Sequence, residues 1–187
     1  SSFITNVFEA FGKQAVNKID LPRFLAMIED ENYALTKIDS PYMVDNFPVD
    51  YPAGKDLDVL VSEKSFYSLM SKLISFSRDY QNSFDIKDVP EPDGIRVRFH
   101  KKSGDKSLEY QIDVTVSTLV DSKNIDRSKG FNTLNDEWES YSRLLSLKKK
   151  PHKTHHLDYI KDKKDLIKDK ALKKLGLSEF YNSIVSS

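Results

Sequence analysis

Gly54-Lys55-Asp56-Leu57-Asp58-Val59-Leu60-Val61 reads as a turn that runs straight into a buried strand, with two carboxylates at the strand's start. Side chains on a strand alternate between faces. Asp56 and Asp58 therefore share one face, while Leu57, Val59 and Val61 point the other way, into a core. Carboxylates two residues apart on a strand are separated by about 7 Å, close enough to converge on one hard cation. A third acid belongs with them: Asp113, in the alternating run Tyr110-Gln111-Ile112-Asp113-Val114-Thr115-Val116. The rest of the chain is expected to be scaffold and substrate contacts around these three.

Working outward, Ile95-Arg96-Val97-Arg98-Phe99-His100 alternates as well. A linker rich in turn formers separates it from the run at 108–117, so the two form a hairpin. A register symmetric about that linker sets Arg96 beside Asp113. Residues 63–80, with Ser62 as cap and Phe66, Leu69, Met70, Leu73, Ile74 and Phe76 at helical spacing, predict a helix. Upstream, 32–38 predicts a first strand, and 39–55, with Pro41, Pro48, Pro52 and Gly54, a long connecting loop. Short helices are expected over 3–11 and after Asp20. Downstream, 85–93 reads as an acidic loop. A helix is expected over 133–147, ended by Pro151, and a last one over about 156–175, ended by Gly176.

The 187 residues are 39% hydrophobic and 31% charged, with 29 basic and 29 acidic side chains. This is ordinary for a globular chain with its own core. No global field draws it to nucleic acid or to a membrane. Locally, 148–174 carries eleven lysines against four aspartates, an excess suited to an anionic ligand. The absence of cysteine excludes disulfides, thiolate catalysis and cysteine-ligated zinc. No apolar run approaches the roughly 20 residues of a membrane span. Ser1-Ser2-Phe3-Ile4-Thr5 lacks the basic and apolar regions of a signal peptide, so a cytoplasmic location is expected.

The order helix, helix, strand, loop, Asp-x-Asp strand, helix, strand, Asp-bearing strand, helices resembles the nucleotidyltransferase fold of the DNA polymerase β superfamily. The resemblance covers roughly 32–117. Tyr33-Ala34-Leu35-Thr36-Lys37, the Pro-rich loop and the Asp56-Leu57-Asp58 strand look like a minimal subgroup, whose members often occur beside polysaccharide and surface-polymer genes. It implies an α+β fold with a small mixed sheet and flanking helices. A nucleotidyltransferase-like core would span 1–130, with a C-terminal helical segment over 131–187. It also implies a magnesium- or manganese-dependent transfer of a nucleoside monophosphate from a nucleoside triphosphate, such as ATP, to a hydroxyl or phosphate acceptor. That acceptor would be a small molecule, a polysaccharide intermediate or a macromolecule, and a protein partner is expected to complete its site. Asp56, Asp58 and Asp113 would be metal ligands and catalytic groups. Lys37, Lys55, Arg96 and Arg98 would neutralise phosphates. The chain departs from the superfamily by carrying Thr36-Lys37 where Gly-Ser usually ends the first strand, and Lys55 where Ser commonly precedes the first acid. Phosphate binding would then rely on lysine charge instead of a glycine turn.

Two other functions compete with this one. A catalytically silent binding module of the same fold is compatible with the missing Gly-Ser. A metal nuclease would use Pro92-Asp93 and Asp121-Ser122-Lys123, although the second element lies beyond its strand. His152, His155 and His156 are expected in an exposed loop after Pro151. Trp138 and Tyr141, at helical spacing, are expected in the core.

Overall fold

The computed structural model describes residues 18–38, 45–103 and 106–186. The expected helix at 3–11 lies outside them. Within them, a short helix α1 (Leu21–Met27) is capped by Asp20, whose side chain accepts from the Arg23 N–H, with proline in the first turn. The strands are β1 (Tyr33–Thr36), β2 (Asp56–Val61), β3 (Asp85–Glu91), β4 (Gly94–Ser103), β5 (Lys106–Val116), β6 (Ile125–Asp126) and β7 (Thr133–Leu134). Helix α2 (Phe66–Arg78) follows β2, after one 3-10 turn capped by Ser62. The fold is α+β, as expected: one mixed seven-stranded sheet in the order β3-β4-β5-β2-β1-β7-β6, with flanking helices.

The alternation at 56–61 decides what each face of the sheet meets. Leu57, Val59 and Val61 join Tyr33, Leu35, Val97, Phe99, Ile112 and Val114 in the main core. Phe24 and Ile28 of the α1 region and Leu69, Leu73 and Phe76 of α2 cover that face. Asp56, Asp58 and Leu60 point to the opposite face. There Leu60 packs with Ala34, Leu119, Val120 and Leu134 beneath the C-terminal helices.

Three expectations are corrected. Residues 85–91 are not a loop but edge strand β3, antiparallel to β4. Its pattern is weak because only Ile86 and Val89 are even half-buried, and they lie on opposite faces, Ile86 beside Phe99 and Val89 beside Arg96. Pro90 is tolerated because an edge strand needs no second ladder, and the charged side chains at 85, 87, 88 and 91 disfavour pairing with another chain. The expected helix at 133–147 begins later, as α3 (Asp136–Lys149) capped by Asn135, with 133–134 used in β7. The expected helix at 156–175 is broken into α4 (Thr154–Asp162), a 3-10 turn and α5 (Asp169–Lys174), followed by α6 (Ser178–Val185). A straight helix of 20 residues would be about 30 Å long and would outrun α3. Folding back brings Ile160, Leu172 and Leu177 together on Tyr141, Leu144 and Leu147 in a second core. Gly176, at φ 68°, ends α5 as expected. Tyr141 is in this core and Trp138 packs against it, also as expected.

The histidines need a fourth correction. His155 and His156 lie in α4, and His156 is buried, at 1% exposure. Neither of its ring nitrogens has a hydrogen-bond partner among the described residues. Burial, followed by the nearby His155 and Arg143, pushes its imidazole down to about 3.

Gly94 begins β4 where a Cβ would lie 1.9 Å from the Val114 carbonyl oxygen. Backbone cannot yield there, so Gly94→Ala is expected to destabilise the fold by about 2–4 kcal/mol, read as a lowered urea midpoint. Gly130→Ala, in open space at φ 84°, should cost only about 1 kcal/mol. For His156 the unfolded state binds the proton between the ordinary histidine value and the folded value of about 3. Its contribution to stability is complete above about pH 6.5 and is lost as pH falls, at up to about 1.4 kcal/mol per unit. Urea denaturation from pH 7 to 4 should show this loss, and His156→Phe should lessen it.

Candidate functional site

Strands β2 and β5 are parallel and in register, with Asp56 opposite Gln111 and Asp58 opposite Asp113. Antiparallel β4 sets Arg96 opposite Asp113, the register expected from the symmetric hairpin. Strand β1 sets Thr36 opposite Asp58. One row across four strands therefore reads Thr36, Asp58, Asp113, Arg96. Neighbouring strands are about 4.8 Å apart, so these side chains share one floor. Above it opens a cleft of about 400 Å³. Its wall is α3, through Ser142, Leu145, Ser146 and Lys149, and its rim carries Lys150 and Lys153.

Two of the three acids on this floor, Asp58 and Asp113, are partnered by cations. Lys37 Nζ lies 3.4 Å from Asp58 Oδ2. Arg96 Nε donates to Asp113 Oδ1 at 2.9 Å, and Gln111 Nε2 donates to Asp113 Oδ2 at 3.1 Å. Arg96 Nη1 is also 3.5 Å from Glu91 Oε1. Burial pushes the Asp56 carboxyl up, and the Asp113 charge adds to the shift. Asp58 is pushed up by burial, opposed by Lys37 and reinforced by Asp113 and Asp56. Arg96 is held more firmly protonated, chiefly through its hydrogen bond to Asp113.

These acids form a hard, all-oxygen donor set whose mutual repulsion a cation would relieve. Magnesium takes only one or two carboxylates and fills its octahedron with phosphate and water, which Asp56 and Asp58 fit. Among the described residues, no three acid or imidazole groups already stand gathered as a metal-ligand cluster. Asp113 is turned instead to Arg96 and Gln111.

A buried carboxylate that the sequence did not single out supports the floor. Glu139 of α3 accepts from the Lys37 backbone N–H at 2.7 Å and from Thr36 Oγ1 at 2.9 Å. Arg143 Nε donates to it at 3.0 Å. Thr36 Oγ1 also lies 2.7 Å from Ser142 Oγ. Lys37 has φ 61°, a left-handed conformation unfavourable for a side chain with a Cβ, and the Glu139 bond holds it there. Burial pushes Glu139 up, against the pull of Arg143. In sequence, Glu139 and Arg143 are an ordinary i,i+4 pair, which usually reads as exposed.

Of the other expected phosphate ligands, Lys55 and Arg98 are not among the residues lining the cleft. Arg98 Nε is 3.1 Å from Glu109 and 3.3 Å from Gln111 Oε1. The Lys55 carbonyl accepts from the Tyr51 hydroxyl. Of the lysines over 148–174, Lys149, Lys150 and Lys153 reach the cleft. Asp93 lies on its rim, 3.6 Å from Lys149, whereas Asp121 caps a 3-10 turn and neither it nor Lys123 lines the cleft.

No protein-family model matches the chain, and no curated protein matches it. Two solved structures resemble it. JHP933 from Helicobacter pylori has 13% sequence identity and a TM-score of 0.46, over 75% of this chain and 61% of that one. This chain thus spans less than two thirds of that protein's length. A second Helicobacter pylori protein, provisionally named a nucleotidyltransferase, has 15% identity and a TM-score of 0.44, over 88% of this chain and 79% of that one. The chain's own architecture is α+β, a mixed seven-stranded sheet with flanking helices and with Asp56 and Asp58 at the start of β2. Among the described residues, no helix is long and apolar enough to cross a membrane.

Removing one partner of the buried pair strands the other's charge. Glu139→Ala is expected to destabilise the protein by about 3–5 kcal/mol, measured by chemical denaturation. The double variant Glu139→Met/Arg143→Leu should recover much of that loss.

Proposed function

We propose that the chain is a metal-dependent nucleotidyltransferase, moving a nucleoside monophosphate from a nucleoside triphosphate to a hydroxyl or phosphate acceptor. One observation carries this reading: Asp56, Asp58 and Asp113 sit at adjacent positions on one sheet face, on the floor of a cleft ringed by basic side chains. Asp56 and Asp58 would hold magnesium or manganese, with Asp113 as the third acid. When bound, the metal supplies Lewis-acid stabilisation of charge on the transferring phosphoryl group.

The chain's own residues do the rest. Lys37, Lys149, Lys150 and Lys153 neutralise the triphosphate, as ammonium groups that need no fixed fork geometry. The acceptor oxygen bonds to the α-phosphorus as the bond to the leaving pyrophosphate breaks. Asp113, on the neighbouring strand, would take the proton of a hydroxyl acceptor once its carboxylate turns from Arg96 or Gln111. The wall formed by α3 excludes water from one side of the transfer.

A second reading, a silent binding module of the same fold, is favoured by one feature. Asp58 and Asp113 already have cationic partners, Lys37 and Arg96.

Calorimetric titration with magnesium and each of the four nucleoside triphosphates tests the proposal. Saturable, metal-dependent binding is expected, weakened at least about 100-fold, or ~2.7 kcal/mol, in Asp56→Ala/Asp58→Ala. Binding unchanged in that double variant would sink the metal site. Binding with no pyrophosphate released across a broad acceptor panel would favour the silent module.

A further inference from the structure

Both oxygens of Asp113 are occupied, one by Arg96 Nε at 2.9 Å and the other by Gln111 Nε2 at 3.1 Å. Asp58 is engaged by Lys37 Nζ at 3.4 Å. Among the described ion pairs none involves Asp56. A cation arriving alone on Asp56 and Asp58 must therefore displace the Lys37 ammonium, and one that also takes Asp113 must displace the Arg96 guanidinium as well. A cation that took all three acids would leave Lys37 without its carboxylate and Arg96 with only the more distant Glu91, in a recess where the Lys37 and Arg96 side chains are only 22% and 30% exposed. Stranding a half-buried charge is costly. A cation arriving with a polyphosphate brings replacement partners: phosphate oxygens accept from Lys37 and Arg96 as the carboxylates turn to the metal. Arg96 need not leave the cleft during the exchange, because Glu91 Oε1 already stands 3.5 Å from its Nη1.

We infer that Lys37 and Arg96 are specificity-determining residues, which make the cleft select a divalent cation already complexed to a polyphosphate over the free cation. The inference rests on the nucleotidyltransferase reading, since it takes Asp56, Asp58 and Asp113 as the metal's ligands. The exchange is thermodynamic coupling: metal and polyphosphate each tighten the other's binding by the same factor. Two cations thus act as competitors of the metal before the ligand arrives and as partners of the ligand afterwards.

The test is a manganese titration followed by electron paramagnetic resonance on the full chain. Free Mn2+ and preformed Mn2+–tripolyphosphate are compared, with folding of each variant checked by circular dichroism and thermal melting. Arg96→Gln is expected to bind free Mn2+ about tenfold more tightly than the parent, and Mn2+–tripolyphosphate about tenfold more weakly, each ~1.4 kcal/mol. Lys37→Gln should move both affinities in the same directions, and it carries the test alone if Arg96→Gln does not fold. Free Mn2+ binding no tighter in either folded variant would overturn the inference. Both forms weakening in parallel would overturn it too. In those cases, binding that still disappears in Asp56→Ala/Asp58→Ala would leave the metal site standing. No binding of either form to any folded protein would overturn the inference and the metal site together.

Discussion

The in-register parallel pairing of β2 with β5 is the constraint on which the rest depends. It sets Asp58 beside Asp113 and, through the same ladder, Val59 beside Val114 and Val61 beside Val116. A slip of one residue would turn Asp113 into the core and Ile112 or Val114 out to the cleft. The apolar face therefore fixes the polar one: Leu57, Val59, Ile112 and Val114, all at 0–1% exposure, cannot be moved without exposing the core. Parallel strands need a long crossover. Here it is α2 with the β3–β4 hairpin, which also delivers Arg96 to the row.

The C-terminal helices then decide how much of the second sheet face stays open. They cover its apolar end, where Ala34, Leu60, Leu119, Val120 and Leu134 are buried with Trp138, Leu145 and Leu175 packed against them. They stop short of Asp56 and Asp58. The boundary lies at Thr36 and Lys37, where Glu139 reaches down from α3 to the end of β1. That single carboxylate ties wall to floor. It satisfies the Lys37 N–H in a backbone conformation that disfavours side chains, so the direction in which Lys37 leaves the sheet is set by a helix about a hundred residues away in sequence.

Much of this was legible in the sequence, for one physical reason. Wherever one face of a strand is buried and the other wet, period-two alternation is strong. The bounds of β2, the two flanks of the hairpin and the opposition of Arg96 and Asp113 all follow from it. Edge strand β3 was not legible, because a strand with one neighbour and a charged rim has little alternation to show. The break between α4 and α5 was hidden because Ile160 and Ile167 are seven residues apart, a spacing that also fits one continuous helix. Glu139 and His156 illustrate a different limit. A polar residue in a helix gives no sign of being buried until the element packed against it is known, and for Glu139 that element, the end of β1 at Thr36 and Lys37, is about a hundred residues away in the chain.

The same logic explains why the floor of the cleft is so densely charged and yet can fold. Three carboxylates on adjacent positions repel one another, and burial raises Asp56 and Asp58 further. Left alone, such a cluster would oppose the strand pairing that creates it. Lys37 and Arg96 offset the repulsion locally, and each is held by a contact outside the acid cluster: Lys37 through its backbone to Glu139, Arg96 through Glu91. Folding and ligand binding therefore draw on the same few charges. The pairs that offset the repulsion where β2 and β5 come together are Lys37 with Asp58 and Arg96 with Asp113. A floor built in this way offsets much of its own charge, and on the proposed reading a ligand that compensated both the acids and their cations at once would have the advantage over one that satisfied only the acids.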